Sequence, residues 1–174
     1  MKVCIDFHYS DFWADPKKQF VPKAWEGMDI EEKSDALYNF TLENLTQILD
    51  AGVDVGMVQV GNEINNGMCG ETDASNVRKL LASGSKAVRD AATASGKDIL
   101  VAVHYTNIDD MKKLDTLLTG LQVKEIDYDI VGLSFYPYWH GTMDDLKNAI
   151  IHIRDTYGKK VYVCLLYTSD AADD

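Results

Sequence analysis

Hydrophobic and polar residues alternate along several short stretches of the chain, and this pattern indicates strands that bury one face in a core. We predict strands over residues 3–8, 58–63, 99–104 and 130–136, and a last strand that begins at Val161. One face of each strand is apolar, whereas the other has small or polar residues. On this second face the side chains that could react or bind lie at the C-terminal end of the strand. The residues of these second faces are Cys4, Asp6 and His8, then Gln59, Gly61 and Glu63, then Ala102 and His104, and finally Gly132, Ser134 and Tyr136.

Helical periodicity fills the segments between the predicted strands. Asp29 to Glu32 has the form of a capping box, and the apolar stripe that follows it ends at Gly52. Three further stripes have the same spacing, and most are bounded by capping residues or glycines. They cover residues 77–91 before Gly96, residues 114–121, and residues 146–157 between Thr142 and Gly158.

This alternation of strands and helices predicts an α/β fold with parallel strands and crossover helices. A doubly wound sheet is the competing architecture, but its strands would be apolar on both faces and its ligand site would favour a Gly-rich phosphate loop. The sequence has neither feature. Five strands and 174 residues are also too few for a closed barrel of roughly 250 residues. We therefore predict a partial (β/α)8 TIM barrel, with its chemistry at the C-terminal rim.

Composition sets limits on the function. Hydrophobic residues make up 46% of the chain and the mean hydropathy is −0.20, as in a globular protein. The formal charge of −11 argues against nucleic acid or an anionic membrane as partner. No apolar run approaches the length of a membrane span. Cys4, Cys69 and Cys164 have neither metal-ligand spacing nor a disulfide pattern.

The pair Asn62-Glu63 is the strongest candidate for catalysis, because an apolar strand runs directly into it. A carboxyl group at the end of a buried strand is costly unless it has a function. Aromatic residues form a second group, since flat sugar faces pack on aromatic rings. We expect them on loops or strand ends: Trp13, Trp25, Tyr136, Tyr138 and Trp139. Hydrogen bonds to sugar hydroxyls are expected from Asp6, His8, His104 and His140.

A metal site is an alternative reading of the same strand ends. Asp6, His8, Glu63 and His104 could in principle surround a divalent ion at a barrel mouth. Such sites usually take closely spaced ligands from one element, and only Asp6 and His8 meet that condition. The aromatic residues would have no role in a metal site. We therefore expect no metal and no cofactor.

Three long motifs resemble the family 53 glycoside hydrolases, the arabinogalactan endo-β-1,4-galactanases. They are DFHYSDFWADPKKQ with PKAW soon after it, VQVGNEINNGMCG, and GLSFYPYWHG. The resemblance covers residues 1 to about 163 and implies a catalytic barrel from strand three to strand seven. Strands one, two and eight would then be missing, and Met1 would be an internal residue.

The resemblance also implies a mechanism and a site. Glu63 matches the acid/base of a retaining hydrolase, and Asn62 matches the neighbour that bonds the sugar 2-hydroxyl. Substrate-binding roles are expected for Asp6, His8, Trp25, His104, Tyr136, Trp139 and His140. The implied partner is β-1,4-galactan or arabinogalactan, bound by a secreted or cell-surface monomer without a cofactor. A structural calcium is expected only in parts of the family barrel that this chain lacks.

Residues 164–174 break the pattern of everything before them. The family continues its seventh strand as Val-x-Val-x-Glu-Thr, which places the nucleophile at position 165, and Leu165 stands there. The tail resembles the translation of a transposase sequencing adapter, and we interpret it as non-native. Two other functions stay open, namely another retaining β-glycanase of the same barrel clan and a non-catalytic carbohydrate binder.

Overall fold

Five parallel strands form one sheet in the computed structural model, which describes residues 2–166 and the side chains up to Cys164. The strands are β1 (Val3–Phe7), β2 (Val55–Val60), β3 (Leu100–Tyr105), β4 (Ile130–Phe135) and β5 (Lys160–Leu166). They lie in the order in which they occur along the chain, and every neighbouring pair is parallel. This topology confirms the α/β class with crossover helices.

Helices connect consecutive strands. The helices are α1 (Ile30–Asp50), α2 (Ala74–Ser95), α3 (Met111–Val123), α4 (Pro137–His140) and α5 (Met143–Tyr157). The predicted capping box is present, since the side chain of Asp29 accepts from the N–H of Glu32 and the Glu32 carboxylate accepts from the N–H of Asp29. Thr142 caps α5 in the same way, as the sequence predicts. The prediction did not include α4 or the short 3₁₀ turns at Lys23–Trp25 and Ile64–Asn66.

The core lies between the helices and one face of the sheet. Valines from the middle strands are fully buried there, including Val58, Val60 and Val101. The helices contribute leucines of the predicted stripes, and these are also inaccessible to solvent: Leu37, Leu45, Leu80, Leu81, Leu114 and Leu118. Because the apolar residues occupy this face, the polar residues of the same strands are left together on the other.

The predicted strand over residues 58–63 differs most from the structure. β2 starts earlier, at Val55, and ends at Val60. Gly61 has a φ of 82°, which glycine adopts without strain and which turns the chain out of the sheet. Asn62 and Glu63 therefore lie on a turn beyond the strand and not on its last residues.

β5 contains an irregularity beside β4. Leu133 pairs with Val163, but the next residue of β4, Ser134, pairs with the backbone of Leu165, so that Cys164 is the extra residue. The sequence-based identification of residues 164–174 as a non-native tail falls mostly on residues 167–174, which lie outside the described part of the chain. No helix in the described part of the chain is both long and apolar enough to cross a membrane.

Candidate active site

Glu63 occupies a turn that is held from two sides. The N–H of Gly61 donates to the carbonyl of Phe7 at 3.0 Å, which ties the turn to β1. Glu63 itself adopts the left-handed conformation, with φ 48° and ψ 50°. A non-glycine residue in this region costs on the order of 1–3 kcal/mol unless its surroundings fix it, and such residues cluster at functional sites.

His104 fixes the backbone of Glu63 from β3. Its ring is fully buried, and the N–H of Glu63 donates to its Nδ1 at 3.1 Å. Gly132 on β4 leaves room for the ring, because a Cβ at this position would lie 3.1 Å from the Cδ2 of His104. Burial lowers the pKa of His104 to about 4. The imidazole is therefore neutral near neutral pH.

Ser134 connects His104 to the carboxyl group of Glu63. Its hydroxyl donates to Oε1 of Glu63 at 2.6 Å and lies 3.0 Å from Nε2 of His104. Ser134 is fully buried and belongs to the polar face of β4. Residues at the ends of three neighbouring strands thus converge on one carboxyl group.

The environment of Glu63 favours its protonated form. The residue is 7% exposed, and burial is the main cause that raises the pKa of its carboxyl group. The negative charge of Asp15 raises this pKa further, whereas the hydrogen bond from Ser134 and the nearby His8 oppose the rise. A carboxyl group that stays protonated near neutral pH can donate a proton to a leaving group.

A second polar group surrounds the end of β1. Nε2 of His8 lies 3.1 Å from Oδ2 of Asp6, and Nε2 of Gln59 donates to Oδ1 of Asp6 at 2.7 Å. The same amide nitrogen of Gln59 lies 3.2 Å from Nδ1 of His104. Gln59 therefore joins the Asp6–His8 pair to the group around Glu63.

Asn62 is 6% exposed and bonded to protein groups on both sides of its amide. Its Nδ2 donates to the carbonyl of Ala14 at 2.7 Å, and its Oδ1 lies 3.2 Å from Nε2 of Gln59. The N–H of Ala14 in turn donates to Nδ1 of His8 at 2.8 Å. The loop after β1 thus holds both Asn62 and His8 in place.

An open cleft of about 680 Å³ lies beside Glu63. Its lining includes Asp15, Lys17, Thr106, Tyr136, Trp139 and His140. Thr106 is 3% exposed, and its Oγ1 has no hydrogen-bond partner among the described residues. Its backbone is fixed by Asn65, whose Nδ2 donates to the Thr106 carbonyl and whose Oδ1 accepts from the Thr106 N–H. Beside the cleft, Thr106 therefore keeps a buried hydroxyl whose hydrogen-bonding capacity no described residue uses.

The predicted aromatic residues separate into three groups. Tyr136 and Trp139 line the cleft, and Trp139 is 62% exposed on α4 and not on a loop. Trp25 is only 8% exposed, and its ring packs against Tyr9 and Phe40. The Trp25 ring thus belongs to the core, and its expected role in substrate binding stays a prediction. The remaining two aromatics, Trp13 and Tyr138, are exposed but do not line this cleft.

The predicted histidines also occupy different environments. His140 lines the cleft, and its Nδ1 accepts from the N–H of Tyr136 at 3.2 Å. Burial lowers its pKa. His104 has no exposed surface, and both of its ring nitrogens contact protein groups. In this structure His104 supports Glu63, and its expected bond to a sugar hydroxyl stays a prediction.

The metal alternative gains no support from the arrangement of these side chains. Among the residues whose side chains the structure describes, no three His, Cys, Asp or Glu groups are arranged to hold an ion. Asp6 and His8 contact each other, while the carboxyl group of Glu63 bonds to Ser134 and not to a second ligand of that set. The absence of a cofactor stays a prediction.

Comparison with known proteins adds independent information on this arrangement. The sequence matches the family model described as "Glycosyl hydrolase family 53" over residues 1–174. The chain belongs to glycosyl hydrolase family 53. This finding confirms the resemblance that the three sequence motifs indicate.

Three similar proteins illustrate the extent of the match. An endo-beta-1,4-galactanase of Bacillus subtilis (strain 168) is 45% identical over 174 residues, which are 99% of this chain and 40% of that protein. A family 53 catalytic domain from Ignisphaera aggregans superimposes with a TM-score of 0.85 at 36% identity, covering 99% of this chain and 49% of that one. A fungal beta-1,4-galactanase gives a TM-score of 0.87 at 31% identity, covering 95% and 52%. The chain thus spans about half the length of the proteins it matches, and its sheet is part of a TIM barrel.

Several residues of the site were not among the predicted ones. Gln59 and Ser134 lie on the polar faces of predicted strands, and that face was the signal that could have identified them. Thr106 lies just beyond a strand, and no pattern marks its unpartnered hydroxyl. Ala14 accepts a hydrogen bond from Asn62 through its backbone carbonyl, and the charge of Asp15 raises the pKa of Glu63. Both residues lie on a loop, and sequence periodicity does not reveal such contacts.

Proposed function

We propose that this family 53 chain forms the part of a galactan-hydrolysing barrel that contains the general acid, Glu63. The observation that carries the proposal is the environment of Glu63, which is buried beside an open cleft and bonded by Ser134. Burial raises the pKa of this carboxyl group, and a general acid must be protonated before it meets its substrate. The names of the galactanase relatives support β-1,4-galactan or arabinogalactan as the substrate.

A retaining mechanism requires a second carboxylate about 5–5.5 Å from the first. The pairing of strands β4 and β5 supports position 165 for this group, because its backbone lies opposite Ser134, whose hydroxyl contacts Glu63. Bulges often redirect side chains next to active sites, and the register shift at Cys164 would redirect position 165 in the same way. We propose that a glutamate belongs at position 165 in the complete enzyme. The leucine there and the tail up to residue 174 would then be non-native.

Substrate would lie along the cleft and pass over Glu63. Trp139 offers an exposed ring for a sugar face, and Tyr136 packs edge-on against it, with ring centroids 6.2 Å apart. His140 and Thr106 would bond to hydroxyl groups on this side. On the other side of Glu63, Asp6, His8 and Asn62 offer polar groups that are bonded to one another through the loop after β1.

The decisive experiment compares two substrates in a complete barrel that contains residues 1–163 and a glutamate at position 165. Glu63→Gln should lower the turnover of β-1,4-galactan by about 10²–10⁴-fold, because the amide has no acidic proton to give the leaving oxygen. The same variant should lose far less kcat/KM on a dinitrophenyl galactobioside, whose leaving group needs no protonation in the first step. Binding of galactan, measured by calorimetry, should change little, because the amide keeps the shape of the carboxyl group.

A matched control is Glu26→Gln, which makes the same chemical change at an exposed position. Its activity on both substrates should equal that of the parent. Unchanged galactan hydrolysis by Glu63→Gln would refute the assignment of the acid. A parent that binds galactan without cleaving it would indicate a carbohydrate-binding protein, and cleavage of another β-1,4-glycan in preference to galactan would indicate a different specificity within the barrel clan.

Further parts of the proposal concern the protein that contains this chain. We propose a monomer that acts outside the cell or at its surface, without a cofactor. Long-read sequencing of the gene tests the C-terminal part directly. A glutamate codon at position 165, followed by codons for a further strand of the barrel, supports the proposal. A leucine codon in the genome, followed by codons for the same tail, refutes it.

A further inference from the structure

The hydrogen bonds around His104 determine which of its ring nitrogens carries the proton. The backbone N–H of Glu63 donates to Nδ1 of His104 at 3.1 Å, and a backbone N–H can only donate. The other neighbour of Nδ1 is the amide nitrogen of Gln59 at 3.2 Å, which is also a donor. Nδ1 must therefore be an acceptor without a hydrogen. In the neutral ring the hydrogen is then on Nε2.

This tautomer gives a direction to the bonds that follow. Nε2–H of His104 donates to Oγ of Ser134 at 3.0 Å, so the hydroxyl hydrogen of Ser134 is free to point elsewhere. It points to Oε1 of Glu63, at 2.6 Å. The reverse direction would need a hydrogen on Nδ1, where the N–H of Glu63 already points. No other acceptor among the described residues bonds to the Ser134 hydroxyl, so its hydrogen goes to Oε1 of Glu63, which accepts it in both protonation states of the carboxyl group.

We propose that Ser134 and His104 are positioning residues that keep Oε1 of Glu63 as an acceptor, so that the transferable proton is always carried by Oε2. This inference rests on the proposed role of Glu63 as the general acid. In the reaction, the Oε2–H bond breaks and its proton goes to the glycosidic oxygen. That oxygen takes the electron pair of the breaking bond to the anomeric carbon, while the carboxylate at position 165 of the complete barrel forms a new bond to that carbon. Glu63 is left as a carboxylate with Ser134 still donating to Oε1.

The rest of the structure resists a change of this arrangement. Gly132 lets the His104 ring lie close to β4. The residues around the ring leave it no exposed surface. The left-handed backbone of Glu63 directs its N–H at Nδ1. Because each bond fixes the direction of the next, the orientation of a single backbone N–H determines which carboxyl oxygen can donate.

The first test is Ser134→Ala in the complete barrel with a glutamate at position 165. Loss of a donor to Oε1 disfavours the carboxylate, so the basic limb of the kcat/KM profile should move to higher pH by about one unit. The other charged groups that affect Glu63 are Asp15 and His8 among the described residues. The complete barrel adds the glutamate at position 165, and this substitution leaves all three groups in place. We also expect kcat at the plateau to fall about tenfold with KM nearly unchanged, because the acid is less well positioned.

Two further variants separate positioning from simple loss of stability. Ser85→Ala removes another buried hydroxyl, which donates to the Asp127 carbonyl at 2.5 Å, on a different element from the site. It should lower Tm by a similar amount without moving the pH profile. Ser134→Thr keeps the hydroxyl and should restore the parent profile. If Ser134→Ala keeps the parent profile, or if Ser85→Ala shifts it equally, the inference is wrong.

The second test measures the tautomer directly. Long-range ¹H–¹⁵N NMR spectra of the ¹⁵N-histidine-labelled complete barrel should show His104 with a bare Nδ1 and a protonated Nε2 across neutral pH. A proton on Nδ1, or a charged ring at pH 7, would overturn the inference. The proposed function is tested separately, by the activity of Glu63→Gln. If Glu63→Gln is inactive and His104 carries its proton on Nδ1, Glu63 remains the general acid and only the positioning role of Ser134 and His104 is refuted.

Discussion

His8 and His104 form similar hydrogen bonds in different environments, and the difference shows how the fold determines protonation. In both rings Nδ1 accepts from a backbone N–H, of Ala14 and of Glu63 respectively. In both rings Nε2 contacts an oxygen atom, which belongs to Asp6 in one case and to Ser134 in the other. The pKa of His8 is nevertheless raised, mainly by its bond to Asp6, whereas burial lowers the pKa of His104 to about 4.

The two strands that carry these rings explain the contrast. His8 follows β1, an edge strand of the described sheet, and its side chain is 30% exposed. His104 lies in β3, the central strand, and has no exposed surface. A carboxylate partner near solvent favours the charged ring, and a hydroxyl partner in the dry interior does not compensate for the cost of burying a charge. Burial and the partner of Nε2 therefore decide which ring can titrate near neutral pH.

The largest expected effect concerns the edges of the sheet. Both β1 and β5 have one side without a strand partner among the described residues, and unpaired edges promote aggregation. We expect the 174-residue chain on its own to aggregate and to lack a cooperative thermal transition. Size-exclusion chromatography and calorimetry would measure this. A monodisperse sample with a sharp melting transition would contradict the prediction and would make the two histidines measurable in this chain alone.

A smaller effect is expected from two tryptophans that show the same contrast between burial and exposure. In a complete barrel, Trp25→Ala should lower the free energy of unfolding by about 3–5 kcal/mol, since it removes a core ring. Trp139→Ala should leave stability within about 0.5 kcal/mol. It should raise KM for galactan roughly tenfold, in line with the loss of one aromatic contact. Denaturant titrations would measure the loss of stability, and steady-state kinetics would measure KM. A change of KM without a loss of stability for Trp25→Ala would show that Trp25 binds substrate and is not a core residue.

The histidines themselves should differ in their contribution to stability. His104→Ala leaves the N–H of Glu63 and the hydroxyl of Ser134 without partners in a buried site, and we expect a loss of about 2–4 kcal/mol. His8→Ala should cost about 1 kcal/mol or less, because the pair with Asp6 is partly exposed. Urea denaturation of the two variants in the complete barrel at pH 7 would measure both. Equal losses would show that burial is not what separates the two sites.

The smallest effect is a shift in titration. Asp6→Asn should lower the pKa of His8, because the bond to Asp6 is the largest cause of its rise. The raised pKa of His8 contributes stability that is present below about pH 6.5 and is lost as pH rises through the folded-state pKa. The variant should therefore lose stability at pH 5.5 and little at pH 9. Histidine NMR would follow the titration, and an unchanged pKa of His8 would contradict the prediction.

His104 should show the opposite dependence in the same titration. Its folded-state pKa of about 4 lies below the unfolded value of 6.5. The contribution of His104 to stability is thus complete above about pH 6.5 and declines as the pH falls toward about 4. Its ring signals should stay those of a neutral histidine at pH 5.5, where His8 is charged.

The sequence alone determined the order of elements, the helix caps and the face of each strand that carries chemistry. These features depend on near neighbours along the chain, through side-chain alternation and capping bonds. The position of Asn62-Glu63 after an apolar strand, together with the three long motifs, also singled out Glu63 as the candidate general acid. The family assignment then confirmed that resemblance.

Only the tertiary structure decided what surrounds that carboxyl group. Trp25 and Trp139 are the same residue type near similar polar segments, and only packing places one in the core and the other at the cleft. The sequence predicts a substrate contact for His104 because it ends a strand, whereas its burial in the structure makes it a support for Glu63. Ser134 gained its role from a contact across 71 residues of chain. Such contacts depend on which strands become neighbours, and the physical reason is that burial and hydrogen-bond direction are properties of the assembled sheet and not of any one segment.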